Sequence, residues 1–309
     1  MKDRRIGTSR SARRVSRWAV IAFVAALTAT AAVTSASAPV GPVVPGRHAL
    51  RMEPPQPVLI VGDSAIAAIR WVPGAATAVL GIDHTLDLES CRRLVAPSCR
   101  GREGRTPPTA LEAIRATRGT YHTVVVATGY NDAAPGFEAS FRAVVDQARA
   151  QGVERIVWFT LRENAAYVPP GAPDQQAMYP EMNTTLRRLV ASGAYPDVVI
   201  ADWHAYTTSR AHWFAADGVH YGPVGAWAAA DYVSRTMAFL DGRPCPMPIV
   251  PGGRRPDPCP DPDLTGPVAD IEALYSFGTP GVLCYEIGDA HEVVCATAPV
   301  PSDPPELAP

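Results

Sequence analysis

Lysine is almost absent from this chain of 309 residues, and no two of its six cysteines stand in C-x-x-C spacing. Lys2 is the only lysine, and every other basic residue is arginine. The lack of C-x-x-C pairs argues against a thioredoxin-like redox protein or a zinc ribbon. No H-E-x-x-H or similar ligand spacing occurs either, so no metal site is predicted.

An excess of basic residues is also lacking once the N-terminus is set apart. The whole chain has 28 basic and 30 acidic residues, but residues 1–38 contain seven of the basic ones and a single acidic residue, Asp3. The remainder carries 21 basic against 29 acidic residues, a net charge of −8. This balance argues against nucleic acid or anionic lipid as a partner bound through a general basic surface.

Proline is absent from residues 1–38 and sparser in the middle of the chain than in the segments that flank it, and this distribution predicts the domain boundaries. Residues 58–243 contain eleven of the 32 prolines, whereas residues 39–57 contain six and residues 244–309 fifteen. A central segment of 186 residues can bury a substantial core. We therefore expect a compact domain at 58–243, a linker at 39–57 and a loop-rich C-terminal appendage at 244–309.

Residues 1–38 have the pattern of a targeting segment. Seven basic residues precede an apolar run from Trp18 to Val33, and the triplet Ala36-Ser37-Ala38 follows. Pro39 disfavours cleavage after that triplet, so a cleaved signal peptide and an uncleaved membrane tether both stay open. Either way we expect an exported protein, secreted or anchored at the outer face of the cell membrane.

The six cysteines agree with export, because disulfides persist in oxidising compartments. Six cysteines allow fifteen pairings. Proximity in the sequence favours three short loops, closed by Cys91–Cys99, Cys245–Cys259 and Cys284–Cys295. The third pair lies in two apolar runs, which predicts a disulfide-closed hairpin in the appendage.

Apolar runs alternate with helical periods through the central segment. This alternation predicts an α/β fold with a doubly wound parallel sheet. Ligand sites in such sheets lie beyond the carboxyl ends of the strands. The predicted strands cover residues 58–61, 78–81, 122–128, 155–161 and 197–202, and the predicted helices cover residues 65–71, 109–117, 137–151, 180–192 and 225–240.

Three polar clusters stand at strand ends or before the last helix. Gly62-Asp63-Ser64 follows the first strand, Gly129-Tyr130-Asn131-Asp132 follows the third, and Asp217-Gly218-Val219-His220 precedes the final helix. A serine, a histidine oriented by an aspartate and an amide donor can together carry nucleophilic catalysis. Each cluster taken by itself is more often an ordinary turn, Asx-turn or helix cap than part of a catalytic site.

In combination and in this order, the three clusters resemble the SGNH (GDSL-type) hydrolase family, over about residues 58–240. The resemblance implies a flavodoxin-like sheet and an ester hydrolase without metal or organic cofactor. It implies Ser64 as nucleophile, His220 as general acid–base and Asp217 as its orienting carboxylate. Asn131 and the backbone N–H of Ser64 would form the oxyanion hole.

The second block of that family is altered in this chain. Related exported domains carry D-x-x-x-G-R, where a glycine N–H completes the oxyanion hole, but this sequence has Cys91 in the stretch from Asp87 to Arg92. We expect the Cys91 N–H to serve, with a Cys91–Cys99 bridge compensating for the lost glycine. The alternatives are Gly81 as donor, or no third donor.

Further polar residues flank these clusters. We predict that Asp63 and Asp132, and Arg162 and Asn164 at the start of a long fourth loop, contact the substrate, although the loop residues are equally open to solvation. Asp202 is a rival partner for His220, but Asp217 has the better spacing.

The expected function is an exported serine esterase that removes short acyl groups from carbohydrate or other cell-envelope esters. The expected partner is thus a small-molecule or glycan ester, and the sequence predicts no oligomeric state. Two alternatives stay open: an O-acyltransferase with the same triad, and a non-catalytic envelope-binding module.

Overall fold

A computed structural model describes residues 56–164, 175–276, 282–287 and 292–297. The predicted targeting segment at 1–38 and nearly all of the linker at 39–57 lie outside these residues, so both stay predictions. Among the helices of the described segments, none is long and apolar enough to cross a membrane.

Five parallel strands form one sheet with the order β2-β1-β3-β4-β5, and helices lie between them along the chain. This order is that of the flavodoxin-like doubly wound fold, so the predicted fold class is confirmed. The strands are β1 Val58–Gly62, β2 His84–Leu88, β3 Thr123–Ala127, β4 Arg155–Phe159 and β5 Val198–Ala201. The helices are α1 Ala68–Trp71, α2 Ala110–Ala116, α3 Phe137–Ala150, α4 Gln175–Ala191, α5 Trp203–Thr207, α6 Pro223–Leu240, α7 Pro262–Thr265 and α8 Ile271–Ser276.

The central strands are apolar on both faces because helices cover both sides of the sheet. All residues of β1 and β3 are buried, which is typical of parallel strands. Gly62 at the end of β1 pairs with Leu88 of β2 and with Ala127 of β3. The loops that follow these three strands therefore open at the same edge of the sheet.

The prediction of a strand at residues 78–81 was wrong, and β2 lies six residues later, at His84–Leu88. The apolar run around Val79 is buried beneath α6 instead. There the Ser234 hydroxyl accepts from the Leu80 N–H at 2.9 Å and donates to the Ala78 carbonyl at 2.9 Å. The real strand escaped notice because it is the sheet edge and carries polar residues at 84, 85 and 87.

Helix boundaries agree with the sequence where a cap marks them. Thr109 caps α2 in a capping box with Glu112, close to the predicted start of this helix. The helix expected to start at Pro180 instead begins at Gln175 and contains Pro180. The helix expected from residue 65 begins at Ala68 and is a single turn, so its dipole adds little at Ser64 and the local N–H groups matter more.

The proline-rich C-terminal segment packs against the central core. Cys245 and Cys259 form the predicted disulfide and are both buried. The Asp263 carboxylate on α7 accepts hydrogen bonds from the Asp202 N–H at 2.9 Å and from the Tyr232 hydroxyl. Four side chains from this segment belong to the same apolar core as the strands: Met247, Val268, Ile271 and Leu274.

The predicted C-terminal hairpin is present. Strands β6 (Val282–Ile287) and β7 (Glu292–Thr297) pair antiparallel, and the register sets Cys284 opposite Cys295. The side chains of this hairpin lie outside the described part of the chain, so the third disulfide stays a prediction.

Candidate active site

Ser64, His220 and Asp217 form a continuous hydrogen-bonded chain. The Ser64 Oγ lies 3.0 Å from His220 Nε2, and His220 Nδ1 lies 2.6 Å from Asp217 Oδ2. An ionised carboxylate only accepts hydrogen bonds, so His220 Nδ1 carries the proton and Nε2 is left to accept from the serine. The structure thus joins residues separated by 156 positions in the order expected of a nucleophile, a base and an orienting acid.

The charges of the histidine and the aspartate support each other. Burial by itself raises the pKa of Asp217, but hydrogen bonds from the His220 side chain and from the Val219 and His220 N–H groups lower it to about 2. The hydrogen bond to Asp217 raises the pKa of His220, against burial, which lowers it. The His220 side chain is 47% exposed. The His220 imidazole is therefore accessible from solvent and holds a proton more readily than an isolated histidine does.

A short hairpin at residues 213–222 carries the histidine. The Ala215 N–H donates to the His220 carbonyl at 2.8 Å, and the Gly222 N–H donates to the Trp213 carbonyl at 2.8 Å. A Cβ at Gly225, in the first turn of α6, would collide with that same Trp213 carbonyl. The hairpin and α6 therefore pack too closely there for any other residue.

Asp63 does not face the substrate side, contrary to the prediction. Its carboxylate is fully buried, with Oδ1 accepting from the Ala65 N–H at 3.0 Å and Oδ2 from the Gly129 and Tyr130 N–H groups at 2.9 and 3.0 Å. Burial raises its pKa, although these hydrogen bonds lower it. Asp63 thus fastens the serine turn to the loop after β3.

Asn131 and Cys91, two of the expected oxyanion donors, lie on neighbouring loops that contact each other. The Asn131 side-chain amide donates one hydrogen bond to the Arg92 carbonyl at 3.1 Å, and an NH₂ group has a second hydrogen to offer. Among the described residues, no acceptor takes the backbone N–H of Ser64 or of Cys91. These three groups are thus available to a ligand oxygen.

Cys91 stands where the family pattern has glycine, and its backbone conformation is one that favours glycine. Its φ is +64°, in the left-handed region, and it forms the predicted disulfide with Cys99. A non-glycine residue costs about 1–2 kcal/mol in this region. The alternative donor, Gly81, precedes β2 and so lies at the amino ends of the strands, whereas Ser64 lies at their carboxyl ends.

Arg92 and Asp132 hold the Cys91 loop in place. The buried Arg92 guanidinium donates to the Asp87 carboxylate at 2.6 Å, the Asp87 carbonyl at 2.6 Å and the Pro108 carbonyl at 3.0 Å. Asp132 accepts from the Leu94 N–H, and burial raises its pKa to about 7. Asp132 therefore ties two loops together, and its predicted contact with substrate stays a prediction. The structural role of Arg92 was missed, although a basic residue five positions after Asp87 hinted at it.

Arg162 and Asn164, expected to contact the substrate, have different surroundings. Arg162 is only 2% exposed, and burial lowers its pKa. Its Nη1 donates to the carbonyls of Asn164 and Gly218 at 2.9 and 2.7 Å. Asn164 itself is exposed. The Arg162 side chain thus lies behind the turn that bears Asp217 and His220, and does not face solvent as a substrate contact would require.

Asp202, the rival partner for His220, and two other histidines of this region have different contacts. Asp202 caps α5 and binds the Arg187 guanidinium and the Thr160 hydroxyl, which lower its pKa against the effect of burial. His204 accepts from the Glu163 N–H at 3.1 Å, and His212 stacks edge-on against its neighbour in the chain. Across the described segments, no group of histidine, cysteine and acidic side chains is arranged to hold a metal ion.

No protein-family profile matches the chain, and no curated protein does so either. Among solved structures it is similar to a salicylyl-acyltransferase of a tetracycline biosynthetic pathway, with 18% identity, TM-score 0.42, and coverage of 62% of this chain and 56% of that chain. The aligned part thus spans little more than half of the acyltransferase.

Two further similar structures are esterases. A catalytic mutant of an acetylxylan esterase from Geobacillus stearothermophilus has 14% identity, TM-score 0.42, and coverage of 61% and 96%. A carbohydrate acetylesterase family member from Sinorhizobium meliloti has 17% identity, TM-score 0.39, and coverage of 59% and 98%. Identities below 20% and TM-scores below 0.5 leave the chemistry of this chain to its own residues.

Proposed function

We propose that this chain is a serine ester hydrolase of the SGNH (GDSL) type. One observation carries the proposal: Ser64 Oγ, His220 and Asp217 stand in an unbroken hydrogen-bonded chain at the carboxyl edge of a parallel sheet. The residues predicted for a nucleophile, its base and its orienting carboxylate are thus the ones in contact.

In the first half-reaction Ser64 becomes acylated. Its Oγ attacks the ester carbonyl carbon while Nε2 of His220 takes the hydroxyl proton, giving a tetrahedral intermediate and an imidazolium. Asp217, with its pKa lowered to about 2, stays ionised and stabilises that imidazolium. The intermediate then expels the alcohol, which receives the proton from His220.

Water reverses these roles in the second half-reaction. His220 removes a proton from water, the resulting hydroxide attacks the acyl carbon, and Ser64 leaves with the proton returned by His220. The products are the free carboxylic acid and the original enzyme. No other reactant is needed.

The negative oxygen of each tetrahedral intermediate needs donors. We assign the N–H groups of Ser64 and Cys91 and the second hydrogen of the Asn131 amide, which the Arg92 carbonyl orients from the other side. Each such donor is worth about 3–4 kcal/mol of transition-state stabilisation.

For the substrate, we propose short acyl esters on carbohydrates or other envelope polymers. A half-exposed base beside a half-buried serine suits an ester that projects from a larger molecule. We also propose that the protein acts outside the cytoplasm, which the two disulfides of the described residues support. Secretion and anchoring are both compatible with this proposal.

A fluorophosphonate tests the nucleophile directly. We expect the Ser64 oxygen to displace fluoride from the reagent, so that the folded protein gains one phosphonyl group. Peptide mapping should place this group on Ser64. The wild type should also release acetate from an acetylated sugar. Ser192→Ala, at an exposed serine near the end of α4, is the matched control and should label fully. Absence of an adduct on folded wild type would refute the proposal.

The Cys91–Cys99 bridge is predicted to sustain activity. In a Cys91→Ala/Cys99→Ala variant, position 91 keeps its left-handed strain but loses its covalent support, so we expect kcat to fall about tenfold or more as one oxyanion donor moves. Cys91→Gly/Cys99→Ala should recover most of the loss, because glycine takes a φ of +64° at little cost.

Removing the other bridge is the control for this result. Cys245→Ser/Cys259→Ser should lower Tm by thermal unfolding while kcat of the folded enzyme is unchanged, since this bridge lies in the C-terminal segment. Equal kcat values for the Ala/Ala variant and the wild type would show that the Cys91 bridge does not support catalysis.

A further inference from the structure

We infer that Arg162 is a positioning residue of the esterase, which holds the turn at residues 217–220 so that His220 stays aligned between Asp217 and Ser64. This inference rests on the proposed function. It removes Arg162 from the substrate contacts and gives it a part in the geometry of the base.

The contacts of Arg162 place it directly behind this turn. Its Nη1 donates to the Gly218 carbonyl at 2.7 Å, and Gly218 is the residue between the orienting carboxylate and the base-bearing end of the turn. The guanidinium carbon lies 4.2 Å from the ring centroid of Phe214, which belongs to the same hairpin. The side chain thus contacts the hairpin at its turn and at Phe214, which pairs with Tyr221 in a β-bridge.

Arg162 is itself fixed on the side of the sheet. Its backbone N–H donates to the Tyr130 hydroxyl at 2.7 Å, and Nη1 also donates to the Asn164 carbonyl at 2.9 Å. With 2% exposure, the side chain has little freedom to move. It therefore transmits a position set by the end of β4 to a turn 56 residues later.

An arginine suits this place better than any neutral residue. A cation strengthens hydrogen bonds to carbonyl oxygens and is attracted to the face of an aromatic ring. Burying a cation costs free energy when no carboxylate neutralises it. The acceptors of the Arg162 side chain among the described residues are carbonyl oxygens. A chain that only needed to fill this space would be better served by an apolar side chain, so the charge points to a requirement for fixed geometry.

The main test is Arg162→Met, measured on the full-length protein with an acetyl ester. Displacement of a catalytic group by about 1 Å can cost about 10²-fold in rate, so we expect kcat per folded molecule to fall about 10²-fold with KM unchanged. The proton NMR signal of the His220 Nδ1–H should also move upfield or broaden, as its hydrogen bond to Asp217 lengthens.

Arg162→Lys guards against a variant that fails to fold. Lysine keeps the buried charge and one donor but lacks the planar fork and stacks less well on a ring. We expect a folded protein with a kcat between those of the wild type and the Met variant. A Lys variant with wild-type kcat and an unshifted His220 signal would overturn the inference.

Arg235→Lys is the matched control. Arg235 is equally buried and lies over the Tyr206 ring, whose centroid is 5.5 Å away, but its ion pair is with Asp231, one turn earlier in α6. It should lower Tm without changing kcat or the His220 signal. If Arg162→Met raises KM and leaves kcat intact, Arg162 binds substrate and the inference fails. Failure of the proposed function is distinct, because it would appear as full activity in Ser64→Ala.

Discussion

Replacing Ser64 with alanine is expected to abolish ester hydrolysis and leave the fold intact. Removing the nucleophile of a Ser-His-Asp triad costs about 10⁶-fold in kcat, because the remaining groups cannot form the acyl-enzyme. The hydroxyl that is lost contacts His220, not the core. We therefore expect the free energy of unfolding to change by less than about 1 kcal/mol.

The measurement is kcat on an acetyl ester, together with urea unfolding of the same preparation. The loss should be confined to this serine, so Ser192→Ala provides the reference for both assays. Turnover of Ser64→Ala within about tenfold of the wild type would rule out the triad, since catalysis without the nucleophile lies orders of magnitude lower.

Replacing Asp217 with asparagine should have the second largest effect. The NH₂ group of the new amide can face His220 Nδ1, which donates in the wild type. The histidine proton is then driven to Nε2, and Nε2 can no longer accept the proton of Ser64. The corresponding change in a serine protease costs about 10⁴ in kcat, and we expect a loss of that order here.

The same variant should change the pH profile in a defined direction. Catalysis needs neutral His220, so kcat/KM rises as pH increases through its pKa. The hydrogen bond to Asp217 raises the pKa of His220, with smaller help from the charge of Asp63, which places the acid limb above the ordinary histidine value of about 6.5. In Asp217→Asn the limb should move to lower pH, because that support is removed.

Two comparisons secure this interpretation. Asp241→Asn alters a carboxylate that pairs with Arg155 and Arg243, remote from the triad along the chain, and should leave the limb in place. An Asp217→Asn limb at the wild-type pH would mean that another group sets the profile.

The residues proposed to react could be found from the sequence because each lies in a short local pattern. Ser64 follows a buried strand directly, and the three-residue spacing of Asp217 and His220 places both on one turn. Their spatial meeting followed from the parallel sheet, whose strand ends share one edge. The contacts among the residues proposed as nucleophile, base and orienting acid were therefore predictable together.

The orientation of neighbouring side chains was not predictable in the same way. Asp63 and Ser64 are adjacent, yet one is buried and the other faces the site, because the turn directs Asp63 toward N–H groups 66 and 67 residues later. Arg162 was assigned to the substrate for the same reason: its main partner, Gly218, is far away in sequence.

Edge strands also escape the patterns on which prediction rests. Strand β2 carries histidine, threonine and aspartate among its five residues, since only part of an edge strand is buried. The more apolar run before it attracted the prediction, but it contains the end of a 3-10 helix and an irregular segment packed against α6. Burial, not apolar content alone, decides which run joins the sheet.

The carboxylate of Asp263 has a consequence for the order in which the protein is made. It supplies the acceptor for the Asp202 N–H at the end of β5 and for the Tyr232 hydroxyl on α6, so both groups lack this partner until a residue 61 and 31 positions later has been synthesised. A nascent chain that already contains Ser64, Asp217 and His220 is thus still incomplete. A part of the core that is made later thus completes the scaffold around Ser64, the proposed nucleophile, which is made much earlier.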